Sequence, residues 1–418
     1  MKLASALRRI ACGLSFGGLL FGCSLVQAHD GRSHGNHNEP SPLVIGHRGG
    51  GNGYLPEHTL EAYALGIELG ADYVEPDLVA TKDGHLIARH EPNLLHTTNV
   101  STLTQFADRR RNEVIDGIDT DGFWASDFTL AEIKQLGAVQ PVPARGTQFD
   151  GRFKIPTLEE VIDFVKRKSR EKDRQIGIYP ETKHPTYHQS IGLPLEDRLL
   201  RTLSRAGWNH RHAPVIIQSF ETANLKYLNK RTSVRLVQLV DADDIAPDGT
   251  ITYAPPFDKP YDWVVSGRQG TFGDLVTPAG LAEVRRYADG IGPWKYYIQS
   301  TACKTLAPSG TACADANGDG AVNEADRVVL PATPLIANAH ALGLIVHTWT
   351  FRNEISRHPL DDRNNPVNEY LRFFELGVDG LFSDFADTAV AARVMFKLKN
   401  DPGYARCLVH DNGCTDRD

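Results

Sequence analysis

Short apolar runs alternate with helical stretches along almost the whole chain, and that alternation constrains the fold most. The runs fall at 43–46, 73–80, 176–181, 215–220, 236–240, 289–292, 344–350 and 380–383. A strand buried on both faces reads as a near-continuous hydrophobic run bounded by turn residues. Amphipathic helical patterns lie between most of them, at 59–69, 157–168, 195–206, 221–229, 277–287, 332–342 and 368–376. Eight strands alternating with helices predict an α/β fold closed as a (β/α)₈ TIM barrel with inserted loops. An open doubly wound sheet is the alternative, but Gly49-Gly50-Gly51 lacks the GxGxxG spacing of a dinucleotide loop.

The barrel domain is expected over 43–395, preceded by an address. Lys2, Arg8 and Arg9 precede an apolar, Gly-rich run that ends at Val26-Gln27-Ala28, the layout of a secretory signal peptide over 1–28. Leu20-Phe21-Gly22-Cys23 resembles a lipoprotein box, so anchoring through Cys23 stands as an alternative. The chain is expected to be exported, periplasmic or secreted, with no transmembrane segment after cleavage. Residues 29–42 are polar and turn-rich and read as a flexible lead-in. Loss of the three leader cations takes the formal net charge from −7 to −10, which argues against nucleic acid as a partner. Beyond the leader, Cys303, Cys313, Cys407 and Cys414 form two close-spaced pairs. They predict Cys303–Cys313 and Cys407–Cys414 disulfides, the second in a tail over 396–418, although three pairings are formally possible.

Polar residues gather where these strands end. His47 and Arg48 follow the first run, Glu75 and Asp77 lie on the second, Glu181 ends the third, and Asp384 follows the last. Strand side chains alternate, so Glu75 and Asp77 point to one side. His90 closes a short run after the Lys82-Asp83-Gly84 turn and is expected on a hairpin arm folded over the same face. Carboxylates beside imidazoles and a guanidinium suit a hard divalent cation together with a phosphate.

The motifs GHRGG (46–50), LPEHT (55–59), GADYVEPDLVATKDG (70–84), YPETKHP (179–185), QSF (218–220), TWT (348–350) and LFSD (381–384) resemble the glycerophosphodiester phosphodiesterase family, in its exported bacterial branch. The match runs from about 43 to 387. It implies a (β/α)₈ barrel and metal-dependent hydrolysis of small-molecule glycerophosphodiesters to sn-glycerol 3-phosphate and an alcohol. By the same resemblance Glu75, Asp77 and Glu181 would bind the metal, Ca²⁺ or else Mg²⁺. His47 and His90 would be the general acid and base, and Arg48 and Lys183 would hold phosphate. Phe220 and Trp349 would line the glycerol pocket, with Tyr54 a further candidate. Glu91 stands where many members have Asp, and His58 where many have Asn; neither is expected to touch the first shell. His184 and His188 read as loop residues.

Residues 315–326, DANGDGAVNEAD, carry EF-hand spacing. Asp315, Asn317 and Asp319 take positions 1, 3 and 5, Ala321 offers its carbonyl at 7, and Asp326 closes the loop. It resembles dockerin-type calcium loops and is expected to hold a structural Ca²⁺ within an insertion at about 300–331. Competing functions are a phospholipase D- or C-type enzyme acting on intact lipid, and a non-catalytic, Ca²⁺-stabilised envelope binding protein. The first needs an exposed apolar loop, and none stands out in the sequence.

Overall fold

The computed structural model describes residues 41–409. The signal peptide, Cys23, nearly all of the lead-in and Cys414 lie outside the described residues, and so does the Cys407–Cys414 pairing. Eight strands form the barrel: β1 (Leu43–Gly46), β2 (Tyr73–Val74 continued by Asp77–Ala80), β3 (Gly177–Ile178 continued by Glu181–Thr182), β4 (Ile216–Ser219), β5 (Arg235–Val240), β6 (Gly290–Pro293), β7 (Ile345–Phe351) and β8 (Gly380–Ser383). Each is parallel to its neighbours, and β8 returns to pair with β1 through Leu43↔Gly380 to Gly46↔Ser383, which closes the ring.

The expected single strands at 73–80 and 176–181 are each interrupted, at Pro76 and at Pro180. Proline lacks the N–H a ladder needs. Its carbonyl still serves: Glu181 N donates to Pro76 O (3.1 Å) and Gln218 N to Pro180 O (3.0 Å), so the wall bends without opening.

A helix follows each strand: α1 (Leu60–Glu68), α2 (Leu158–Glu171), α3 (Glu196–Arg205), α4 (Thr222–Asn229), α5 (Pro278–Val284), α6 (Leu335–Ala341), α7 (Pro366–Leu376) and α8 (Ala386–Asn400). Thr157 and Glu160 start α2 with a reciprocal capping box, and Thr59 caps α1 by accepting from Ala62 N. The helix α8 was not marked by the periodicity, and it runs past the expected domain boundary at 395. A short helix, Pro402–Val409, follows within the expected tail.

Strand residues divide by parity. Val44, Leu78, Ile178, Ile217 and Leu236 face the helices, whereas Ile45, Tyr179, Ile216, Val237 and Phe382 fill the barrel interior. Between β2 and α2 the insertion 81–157 builds its own apolar cluster, including Leu94, Phe106, Phe123, Phe128 and Leu136. The insertion after β6 carries an antiparallel pair, Thr301–Cys303 with Arg327–Val329, and Cys303 forms the expected disulfide with Cys313 in the loop between them.

Candidate active site

The parity of the strands builds the site. Continuing each inward row by two residues leads from Ile45 to His47, from Tyr73 to Glu75 and Asp77, from Tyr179 to Glu181, from Ile216 to Gln218 and Phe220, and from Phe382 to Asp384. These side chains meet over the C-terminal mouth of the barrel, where such folds place their chemistry. His47 and Arg48 sit on one tight turn after β1. There Gly50 adopts φ 73°, and a Cβ would strike Gly46 Cα at 2.7 Å.

Glu75, Asp77 and Glu181 bring one oxygen each within 4.8 Å of the others, all three buried. Glu75 receives only neutral donors, Gln218 Nε2 (2.6 Å) and Arg48 N (2.9 Å). Burial, with Asp77 and Glu181 adding repulsion, pushes it well above the usual carboxylate range. Burial also raises Glu181, to about 7, although Lys183 Nζ lies 3.1 Å away. Burial would raise Asp77 too, but His58, His90 and Lys183 hold it low. Its Oδ1 is buried with no hydrogen-bond partner. Three crowded oxygens, one orphaned, fit a hard divalent cation such as Ca²⁺ or Mg²⁺.

The two histidines flank this cluster. His47 Nδ1 lies 2.5 Å from Asp384 Oδ1, and its Nε2 is 3.9 Å from Glu75 Oε2. Burial lowers its pKa despite Asp384, so the neutral ring donates from Nδ1 and presents the Nε2 lone pair to the pocket. His90 follows the arm Leu86–Ala88, which folds antiparallel onto β2 as expected. Its Nδ1 meets Glu91 Oε1 (2.8 Å), and burial, then Arg48 and Lys183, lowers it to about 4. Arg48 is tied to Glu57 (2.9 Å) and lines the pocket with His47, Glu75, His90 and Glu181. Phe220 and Trp349 meet edge to face at 5.7 Å and form an apolar wall of the same pocket.

The sequence profile described as "Glycerophosphoryl diester phosphodiesterase family" matches residues 47–268 and 276–388. The chain belongs to the glycerophosphoryl diester phosphodiesterase family. It is 35% identical to glycerophosphodiester phosphodiesterase GDPD6 of Arabidopsis thaliana over 82% of this chain and 84% of that protein. It is 28% identical to a glycerophosphodiester phosphodiesterase of Haemophilus influenzae over 92% and 98% respectively. A solved structure from Silicibacter pomeroyi DSS-3, 20% identical with a TM-score of 0.55, shares the fold over 86% of this chain and 95% of that one. As a member of the family, this protein is a phosphodiesterase, and the pocket above the barrel is where its residues gather.

Several functional contacts went unread in the sequence. His58 does touch the cluster: its Nε2 bonds Asp77 Oδ2 (2.9 Å) and its Nδ1 faces Tyr63 Oη (3.0 Å), in full burial. Glu91 joins His90 to His184 (2.9 Å), whose other nitrogen meets Asp116 (2.8 Å), so His184 braces the site. Buried His188 lies on the short helix Pro185–Ser190. Asp384 collects Asn52 Nδ2 (2.9 Å), Arg145 Nη2 (2.6 Å) and Arg352 Nε (3.1 Å) besides His47. Lys183 commits its Nζ to Glu181 and lies 3.4 Å from His90 Nε2. Tyr54 is exposed and bonds Asp387 rather than lining the pocket. Exposed apolar residues also emerge: Val114 and Ile118 on the hairpin Arg111–Ile115/Ile118–Gly122, and Phe257, Val264 and Val265 beyond β5.

In the loop 315–326, Asp315 accepts from Gly318 N and Gly320 N (2.7 and 2.9 Å), and Gly320 makes the turn at φ 86°. Asp326 is buried and accepts from the amides of Ala316, Asn317 and Asn323.

Proposed function

We propose that this phosphodiesterase is exported and Ca²⁺-dependent, and that it releases sn-glycerol 3-phosphate from glycerophosphodiesters derived from deacylated phospholipid. The observation that carries the catalytic part of this reading is a pocket lined by His47, Arg48, Glu75, His90 and Glu181, with Asp77 completing the carboxylate cluster; export rests on the leader sequence. Glu75, Asp77 and Glu181 would hold the cation, whose charge offsets that of the phosphate oxygens. Arg48 supplies a fixed guanidinium to the same oxygens, and loss of one such partner costs about 10²–10³ in rate. His47 Nε2 and His90 Nε2 exchange protons with the attacking and leaving oxygens, each contributing roughly 10²–10⁴. Phe220 and Trp349 pack against the glycerol carbons. A structural Ca²⁺ held by Asp315, Asn317, Asp319, Asp326 and the Ala321 carbonyl belongs to the same reading, as does cleavage of the leader after residue 28.

The test uses mature, chelator-stripped protein and glycerophosphocholine, with Ca²⁺, Mg²⁺ or nothing added back. Glycerol 3-phosphate release restored by Ca²⁺ is expected; equal release without metal would overturn the cation's role. The exposed Val114, Ile118, Phe257, Val264 and Val265 favour a second reading, action on intact lipid. Phosphatidylcholine vesicles assayed in parallel decide between them. The mature N-terminus, sequenced from secreted or membrane-bound protein, separates cleavage at Ala28 from anchoring at Cys23.

A further inference from the structure

A second set of convergent donors lies away from the pocket. His358, Asp362 and Glu369 are 2%, 0% and 3% exposed, and one donor atom from each lies within 4.8 Å of the other two. They belong to the loop after β7 and to α7. His358 Nε2 lies 2.8 Å from the Arg352 carbonyl, which can only accept, so Nε2 carries hydrogen and Nδ1 is the ring nitrogen left to ligate. That Nδ1 faces Asp362 Oδ2 at 3.3 Å and Glu369 Oε2 at 3.8 Å.

Each carboxylate turns its other oxygen to a cation. Asp362 Oδ1 takes Arg372 Nη1, with Nη2 a distant 3.4 Å from Oδ2, and Glu369 Oε1 takes Lys295 Nζ at 2.6 Å. Three lone-pair atoms are left facing one another, and Glu369 Oε2 is buried without any hydrogen-bond partner. A proton on Nδ1 would make a single bond to Asp362, longer than the roughly 2.7–3.2 Å usual for N–H···O, and would leave Oε2 unanswered. A tetrahedral ion with bonds of about 2.0–2.2 Å separates its ligands by about 3.3–3.6 Å, close to the two spacings seen. An imidazole whose second N–H is held by a backbone carbonyl is also the usual arrangement of a ligating histidine.

We propose that His358 Nδ1, Asp362 Oδ2 and Glu369 Oε2 form a second, structural metal site. Its mixed nitrogen and oxygen donors suit a Zn²⁺-class ion rather than Ca²⁺. Water completes the shell, and the nearby Lys295 and Arg372 charges keep affinity below that of a thiolate site. The ion would fix the loop that carries Arg352, whose carbonyl His358 holds and whose guanidinium reaches Asp384.

The test is the zinc content of protein expressed with Zn²⁺ and gel-filtered in excess Ca²⁺, which occupies all-oxygen sites. Wild type should retain one zinc per chain, and His358→Gln or Asp362→Asn should lower retention about tenfold or more. X-ray absorption of the wild type should show one imidazole among oxygen ligands. Wild-type protein without zinc overturns the proposal, and so does unchanged zinc in either folded variant. Should neither variant fold, the wild-type spectrum decides, because an all-oxygen or multi-imidazole shell is incompatible with this site.

Discussion

Glu75 and Glu181 line an open pocket at the ends of β2 and β3, with Asp77 clustered beside them, whereas His358, Asp362 and Glu369 are sealed in the loop and helix after β7. Both groups are buried, yet their counter-charges differ. In the sealed group each carboxylate has a cation of its own, Arg372 or Lys295. In the open group Lys183 answers Glu181, but Asp77 has a hydrogen bond from His58, whose pKa burial lowers, and Glu75 has only amide donors. In the pocket, charge is left open to substrate and its cation; in the loop, Arg372 and Lys295 each hold one carboxylate oxygen, so the group supports the fold even while its remaining oxygens face His358. The two groups should therefore fail differently when mutated.

The largest effect should come from Glu75→Gln or Asp77→Asn, which are expected to lower turnover by about 10³ or more. Because burial, and then repulsion from Asp77 and Glu181, already forces Glu75 upward, Glu75→Gln should hold or raise the melting temperature in chelator. Calorimetry and the glycerol 3-phosphate assay together check this, and normal turnover would remove these residues from the site. His47→Ala should cost about 10²–10⁴ in kcat with metal content unchanged by mass spectrometry. The sealed group reverses the pattern. Glu369→Gln strands the Lys295 ammonium, 7% exposed, and should destabilise by about 3–5 kcal/mol in denaturant titrations, more than it changes kcat.

A smaller, pH-dependent difference should appear at His184. Burial opposes its charge, but Asp116 and Glu91 raise it to about 10. A raised folded value means its stabilisation is complete below the unfolded pKa of about 6.5 and is lost as pH climbs to about 10. The stability gap between wild type and His184→Gln in denaturant titrations, on the order of 1–3 kcal/mol below that window, should shrink across it. A constant gap would place the charge elsewhere. Least of all, Asp315→Ala should lower the melting temperature in Ca²⁺ by about 1–2 °C, with activity at saturating metal little changed.

The strand-end residues were legible because a period of two and the barrel's polarity place them without knowledge of any loop. His47, Glu75, Asp77, Glu181 and Phe220 all follow from that rule. The breaks at Pro76 and Pro180 were equally readable, since proline cannot donate to a ladder, but the apolar run masked them. Contacts that depend on ring closure were not legible. The position of Asp384 at the mouth follows from the same rule, but its bond to His47, across 337 residues of sequence, forms only because β8 pairs with β1. His58 reaches Asp77 from a loop whose carbonyls are held by buried Arg89, at Glu57 and His58. No local pattern announces either contact. Likewise nothing in the sequence marks Asp362 and Glu369, because only packing buries them.

Arg145 extends a further consequence. It belongs to the insertion 81–157, outside the barrel proper, yet its guanidinium joins Asp384, Glu354 and the Asn52 carbonyl beneath His47. The insertion is therefore not an exchangeable lid. Grafting a relative's loop in its place would also remove a support of Asp384 and, through it, of His47, so the insertion and the pocket cannot be exchanged as separate modules unless Arg145 travels with the graft.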